Sequence, residues 1–304
     1  MAAPIPVSIV GGYLGAGKTT LVNHLLRERG GRRIAVLVND FGDLSIDDAL
    51  IEARDGALLR LAGGCICCSF GSDLLAALQQ LLALQAPPDH VLVECSGVAL
   101  PSAVARSLGL LSGFALDAQL VLADAETLRE RAADRYVGEL VQQQLAEADL
   151  IALNKCDQID AVTLQALQDW LSGAAPRARV LPCTQGRLPP ELLFGTGSPP
   201  RSGISGPAHD AAQVFASVSI EFAHAVDAQR LAGALTDPAL GLLRAKGLLR
   251  DRQGAWCVLQ LVGPRCQVET LPGPPPALSR LVGIGLRARW DPAALRQRLE
   301  ECRA

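Results

Sequence analysis

Gly12-Tyr13-Leu14-Gly15-Ala16-Gly17-Lys18-Thr19 is the stretch on which the fold of this chain turns. It fits G-x-x-x-x-G-K-[ST]. An apolar run at 7–10 precedes it and an amphipathic pattern at 18–29 follows it, so the motif sits between a strand and a helix, the context that gives it meaning. Glycines let the backbone curl until its N–H groups point inward, and the N-terminus of the following helix adds a favourable dipole. Such a cradle takes the phosphates of a nucleotide. Gly12, Gly15, Ala16, Gly17 and Thr20 belong to its wall, Lys18 reaches the β- and γ-phosphates, and Thr19 is a ligand for Mg²⁺.

Working outward, apolar runs at 34–38, 91–95, 119–123 and 150–153 read as buried strands. Amphipathic patterns at 72–84, 139–146 and 162–171 read as helices between them. Strand and helix in alternation predict an α/β P-loop domain, a mainly parallel sheet flanked by helices, over 1–186. Uninterrupted apolarity in the strands agrees, because parallel strands are buried on both faces. Residues 187–212 hold Pro, Gly and Ser without periodicity and read as a linker or loop. A smaller α+β domain follows over 213–304. Its predicted strands are 215–222, 256–261, 267–271 and 279–286, and its predicted helices are 226–235, 239–245 and 291–302. Asp291 before Pro292 is an N-cap with proline at the first helical position.

Two further motifs follow the phosphate loop in order. Val91-Leu92-Val93-Glu94-Cys95-Ser96-Gly97 is a strand ending in an acid, with glycine three residues on. Glu94 at that strand end suits Mg²⁺ held with Thr19, and Gly97 lets the backbone approach a γ-phosphate. Asn154-Lys155-Cys156-Asp157 follows the strand at 150–153 and fits N-K-x-D. Asp157 can accept from guanine N1–H and the 2-amino group, a pair adenine does not offer, and a buried carboxylate left without them is costly. Asn154 braces the loop and Lys155 lies along the base. The motifs point to GTP rather than ATP, against a small-metabolite kinase. Cys183-Thr184-Gln185 falls where a second base-contacting loop would lie.

Of nine cysteines, three crowd into Cys65-Ile66-Cys67-Cys68. Thiolates so spaced favour Zn²⁺ or another borderline-soft ion, with Co²⁺ second. Three sulfurs leave a tetrahedral ion one position short, which suits transfer. Redox sensing and a buried turn are the rival readings. Cys95, Cys156, Cys183, Cys257, Cys266 and Cys302 are scattered and read as small core residues. The net charge of −3 over 304 residues argues against non-specific nucleic-acid binding, which needs a basic face. No apolar run reaches the roughly 18 residues of a membrane span, and the start of the chain lacks a basic signal region. Cytoplasmic residence is the expectation.

With these pieces in place, the chain resembles the CobW-like family of P-loop GTPases, which includes CobW proteins, nitrile hydratase activators and zinc-transfer chaperones. The matching pieces are residues 12–20, Asn39-Asp40-Phe41-Gly42-Asp43, Gly64-Cys65-Ile66-Cys67-Cys68, 94–97 and 154–157, with 241–247 and 280–285 in the tail. The resemblance implies a GTP-gated metallochaperone with a client metalloprotein. It also implies that 39–48 is a switch loop, with Asp40 beside the nucleotide and the transition metal, where relatives usually carry Glu. Some relatives have a histidine-rich stretch; here there are four histidines, of which His209 and His224 read as surface residues. The C-terminal domain is the expected surface for a client or for self-association. The alternative from another class is a regulatory GTPase whose cysteines sense redox state and carry no metal.

Overall fold

The computed structural model describes residues 4–38, 58–60, 66–195, 215–271 and 276–304. They fall into two units, Met1–Phe194 and Gly195–Ala304. In the first unit the elements run β1 (Ile5–Gly11), α1 (Lys18–Arg27), β2 (Ile34–Val38), β3 (Leu58–Arg60), α2 (Ile66–Leu82), β4 (His90–Glu94), α3 (Pro101–Leu108), β5 (Phe114–Asp124), α4 (Leu128–Ala133), α5 (Gly138–Ala146), β6 (Leu150–Asn154), α6 (Ala161–Ala174), β7 (Arg179–Pro182) and α7 (Glu191–Phe194). The seven strands form one sheet in the order β3-β2-β4-β1-β5-β6-β7, and every neighbouring pair is parallel. This is the P-loop α/β fold that the strand–helix rhythm predicts.

The helices cover the sheet because each keeps an apolar stripe at helical spacing. Leu74, Leu78 and Leu81 of α2 recur at i, i+4 and i+7 and join Val91 and Val93 of β4 and Leu37 of β2 in one core cluster. All six are fully buried, and each leucine contributes about 1.5–3 kcal/mol by leaving water. Leu74→Ala would leave a cavity and cost about 2–5 kcal/mol. On the other side of β1, residues of β5, α5, β6 and α6 form a second cluster around Leu145, Ile151 and Leu171.

A polar clasp interrupts this apolar interior. The Ser8 hydroxyl of β1 donates to the Leu193 carbonyl of α7 at 2.5 Å. Having spent its one hydrogen there, Ser8 Oγ receives from His90 Nε2 at 2.9 Å, which fixes the ring's tautomer. His90 Nδ1 faces Asp117 at 4.0 Å, and the ring meets Phe194 edge-on at 5.1 Å. Asp117 reaches this spot because the β1–β5 register slips between Val7 and Ser8. Val7 pairs with Leu116 and Ser8 with Ala118, which leaves Asp117 as the extra residue of a bulge. Within the expected linker, Leu188, Leu192, Leu193 and Phe194 are buried, while 196–214 lie outside the described residues.

The second unit carries β8 (Phe215–Phe222), α8 (Ala228–Leu235), β9 (Leu242–Arg250), β10 (Trp256–Val262), β11 (Arg265–Thr270), β12 (Ser279–Leu286) and α9 (Pro292–Glu301). Its five strands lie in the order β11-β10-β9-β12-β8, antiparallel throughout. Asp227 caps α8 through the Arg230 N–H, and Asp291 caps α9 through the Ala293 N–H, as the Asp-Pro signal predicts. The expectation of a helix over 239–245 is wrong. A single 3₁₀ turn over Pro238–Leu240 ends at Gly241, whose φ of 63° is left-handed, and the chain then enters β9. A Cβ at position 241 would run into the Arg289 carbonyl. Glycine therefore stops the turn, and pairing of β9 with β10 and β12 overrides the helical appearance of Leu-Leu-Arg-Ala.

Candidate nucleotide site

The functional side chains gather at one edge of the first sheet, beyond the carboxyl ends of its strands, where open α/β sheets bind ligands. The register explains how. Val10 of β1 pairs with Glu94 of β4, Glu94 pairs with Val38 of β2, and Val38 pairs with Arg60 of β3. One row thus spans four strands. The phosphate loop, the acid and the segment leading to the cysteines all leave the sheet at that row.

The loop after β1 curls as its glycines predict. Gly12 and Gly17 hold φ of 129° and 99°, values L side chains rarely adopt. A Cβ on Gly12 would strike the Leu122 carbonyl. Gly17 precedes α1 in a left-handed conformation without a side-chain cap, so the first N–H groups of α1 face the loop. Lys18 Nζ donates to the Gly12 carbonyl at 2.9 Å, which sets the ammonium over the mouth of the loop. The Thr19 hydroxyl donates to Glu94 Oε1 at 2.9 Å, and Glu94 is 4% exposed. A hydroxyl and a carboxylate side by side form an all-oxygen donor set of the hardness Mg²⁺ prefers. Next to Glu94, burial pushes the Cys95 thiol up to about 12, with Lys18 drawing it down and Glu94 adding to the rise. Cys95 is therefore a packed thiol rather than a nucleophile.

The base-reading side is built from β5, β6 and β7. Asn154 is 2% exposed. Its Nδ2 donates to the Ala16 carbonyl of the phosphate loop at 2.9 Å, and its Oδ1 accepts from the Gly186 N–H at 3.0 Å. One side chain thus bridges the phosphate loop and the loop after β7. Lys155 takes a left-handed φ of 62° and pairs with Asp124 at 2.7 Å. Asp157 follows on an exposed 3₁₀ turn, open to a base. Cys183 joins this corner: its thiol donates to Asn154 Oδ1 at 3.4 Å and its carbonyl accepts the Cys156 N–H at 3.3 Å.

Asp124, Gln144 and Gly186 are site-side residues that the motifs alone do not reveal. Asp124 ends β5 directly across from Asn154, and a strand-end acid before a turn was the available signal. Gln144 is a polar residue on the buried face of α5 and breaks the apolar stripe there. Gly97 lies against Leu14 of the phosphate loop, where a Cβ would come within 2.8 Å of the Leu14 backbone nitrogen.

The structure brings Gly12, Gly15, Ala16, Gly17, Lys18, Thr19, Thr20, Glu94, Gly97, Asn154, Lys155 and Asp157 to this edge. Asp40, the rest of 39–57 and Cys65 lie outside the described residues. The cysteine motif does not precede a helix starting at 72, as its spacing suggests: α2 begins at Ile66, so the backbone of Cys67 and Cys68 forms its first turn. Among the described residues, no three His, Cys, Asp or Glu side chains converge as a metal site, and no helix is long and apolar enough to cross a membrane.

Sheet order, phosphate loop, strand-end acid and guanine-type loop together define a P-loop GTPase. The chain belongs to the CobW family: the description CobW/HypB/UreG, nucleotide-binding domain, matches residues 6–182, and that of the cobalamin synthesis protein CobW C-terminal domain matches 215–303. It is 33% identical over 270 residues to the zinc chaperone YjiA of Escherichia coli, covering 81% of this chain and 82% of that protein. It is 33% identical over 240 residues to the zinc chaperone CobW of Pseudomonas aeruginosa, covering 68% of this chain and 64% of that protein's length. A crystal structure of Zn(II)-bound YjiA GTPase from E. coli aligns over the whole of both chains with a TM-score of 0.50 and 25% identity.

Proposed function

We propose that this chain is a GTP-dependent metallochaperone that binds a transition metal, zinc before cobalt, at Cys65, Cys67 and Cys68 and delivers it to a client metalloprotein. The observation that carries the reading is the row Arg60–Val38–Glu94–Val10. It starts the cysteine-bearing segment and the nucleotide loops from one level of one sheet. Thiolates in the first turn of a 17-residue helix are favoured by its dipole, and that turn follows closely on the row. The relatives named zinc chaperones support the choice of metal.

In this reading Lys18 and the loop amides would hold the β- and γ-phosphates, and Thr19 and Glu94 would hold Mg²⁺. Bound there, the ion would supply charge neutralisation for the phosphates. Water attacks the γ-phosphorus, the bond to the β–γ bridging oxygen breaks, and GDP leaves along with a phosphate that keeps both hydrogens of the water. Neither an arginine finger nor a catalytic Gln is identifiable in the motifs, so intrinsic turnover is slow. Asp40, on the first switch loop, completes the metal site when GTP orders that loop, and hydrolysis loosens it. By linkage, GTP raises metal affinity and metal raises GTP affinity by the same factor. The second unit offers the client or self-association surface.

The test is competition titration of Zn²⁺ and Co²⁺ with the full chain and Mg²⁺, in the presence of GDP or a non-hydrolysable GTP analogue, repeated on Cys67→Ala. One-to-one binding that is tighter with the analogue and lost in the variant is the expected result. Binding indifferent to nucleotide and to Cys67 sinks the reading. A GTPase rate that instead follows reversible thiol oxidation would establish the redox alternative.

A further inference from the structure

An amphipathic helix spends its buried positions on apolar side chains, and α5 does so at Val141 and Leu145. Between them stands Gln144, 1% exposed. A buried carboxamide is costly unless its hydrogen bonds are made. Here one amide nitrogen donates to the Ala99 carbonyl at 2.7 Å and to the Gly97 carbonyl at 3.2 Å. Both carbonyls belong to the loop that follows Glu94, 45 and 47 residues earlier in the chain.

That loop is gripped from three other directions. Its first residue, Cys95, donates to the Val10 carbonyl at 2.8 Å. Gly97 packs on Leu14 of the phosphate loop. Pro101 starts α3, and a Cβ on Gly11 would strike its ring. These contacts set the ends and one face of the loop. Its carbonyls on the side of α5 are set by Gln144, whose two protons match the two acceptors.

We propose that Gln144 is a positioning residue for GTP hydrolysis: it holds the peptides after Gly97 and Ala99 so that the Glu94–Gly97 loop presents one fixed geometry to the γ-phosphate. α5 leads through Asp149, whose carboxylate accepts the Gln119 N–H at 2.8 Å, into β6 and the base-reading loop. The contact therefore also ties the γ-phosphate side of the site to the guanine side. Gln144 is buried, and its amide nitrogen is spent on the two loop carbonyls, so it acts through the loop. Its effect falls on the step in which charge moves on the γ-phosphate, where loop placement counts most. The inference rests on Gly97 facing the γ-phosphate.

Gln144→Met keeps the reach and volume and removes both donors. Its kcat for GTP is expected to fall about tenfold, with KM and GDP affinity within about twofold of the parent. Val141→Ala, one turn earlier in the same core, lowers the melting temperature and leaves kcat unchanged. Gly97→Ala separates the two layers of the argument. If it abolishes hydrolysis while Gln144→Met does not, Gln144 has no positioning role. If neither changes hydrolysis, the assignment of Gly97 is wrong, and the inference falls with it. Should Gln144→Met fail to fold, the side-chain amide resonances of Gln144 in the unaltered chain decide. A shift between the GDP and GTP-analogue forms is expected, and identical resonances in both overturn the proposal.

Discussion

The side-chain amide nitrogen of Asn154 lies 2.5 Å from the point a Cβ on residue 17 would occupy. The last glycine of the phosphate loop and the first residue of the base-reading motif, 137 positions apart by number (154 − 17), therefore constrain each other directly. Glycine at 17 answers two demands at once, its left-handed φ and room for the Asn154 carboxamide.

Gly17→Ala meets both obstacles. The backbone conformation alone costs about 1–2 kcal/mol with a Cβ present, and GDP affinity measured by titration is expected to drop at least about tenfold. Asn154→Ala strips the partners from the Ala16 carbonyl and the Gly186 N–H and costs about 1–3 kcal/mol in stability. In the double variant the clash is gone, so the two losses add to less than their sum. Strict additivity in GDP binding would refute the contact.

Asp157→Asn exchanges a pure acceptor for a group that also donates. Guanine offers N–H groups to a carboxylate, whereas xanthine presents a carbonyl at C2 that an amide can meet. GTP affinity is expected to fall on the order of 10²-fold or more, with xanthosine triphosphate gaining. A competition assay in which GTP remains preferred in the variant would move base recognition away from Asp157.

Burial pushes the thiols of Cys95 and Cys183 up to about 12, and for Cys183 the neighbouring Cys156 adds to the rise. Alkylation at about pH 8 of the folded protein is expected to leave both unmodified, because the thiolate is the reacting form. Peptide mass spectrometry after labelling, with a denatured control, reads the outcome. Labelling of Cys95 in native protein at the control rate would contradict the packing around Glu94.

Asp160 caps α6 by accepting the Thr163 N–H at 2.7 Å, and that bond holds its carboxyl below the ordinary value of 3.8. A depressed folded-state value means the unfolded chain binds the proton more readily. The cap's contribution is thus complete above 3.8 and is lost as pH falls through the lower folded-state value. Protection of the amides at the start of α6, taken relative to their intrinsic exchange rate at each pH, should fall over that acid window in the parent. In Asp160→Ala it should already be low at neutral pH. Equal protection in both proteins at neutral pH would show that the cap is idle.

The motifs were legible because each is chemistry written in adjacent residues. Gly12 to Thr19, Glu94 with Gly97, and Asn154 to Asp157 carry their geometry in a few consecutive dihedrals. What the sequence hid lies between distant segments. Asp124 matters because β5 and β6 pair in a register that sets it beside Asn154, and Gln144 because its acceptors sit on another loop. The helix expected over 239–245 fails for a related reason. Local propensity favoured it, but Gly241 and the partners of β9, which no local pattern displays, decide for a strand. The start of α2 at Ile66 escaped because cysteine and glycine there blur the helical period.

The clasp of Ser8, His90 and Leu193 also bears on how such a chain can be recombined. The matched nucleotide-binding description stops at 182, yet β1 is hydrogen-bonded to a carbonyl at 193. A crossover at the end of β7 would discard α7 and strand a buried serine and histidine in the middle of the sheet. A crossover after Phe194 would carry the whole clasp along. Lineages that trade one C-terminal unit for another are therefore expected to be joined beyond α7.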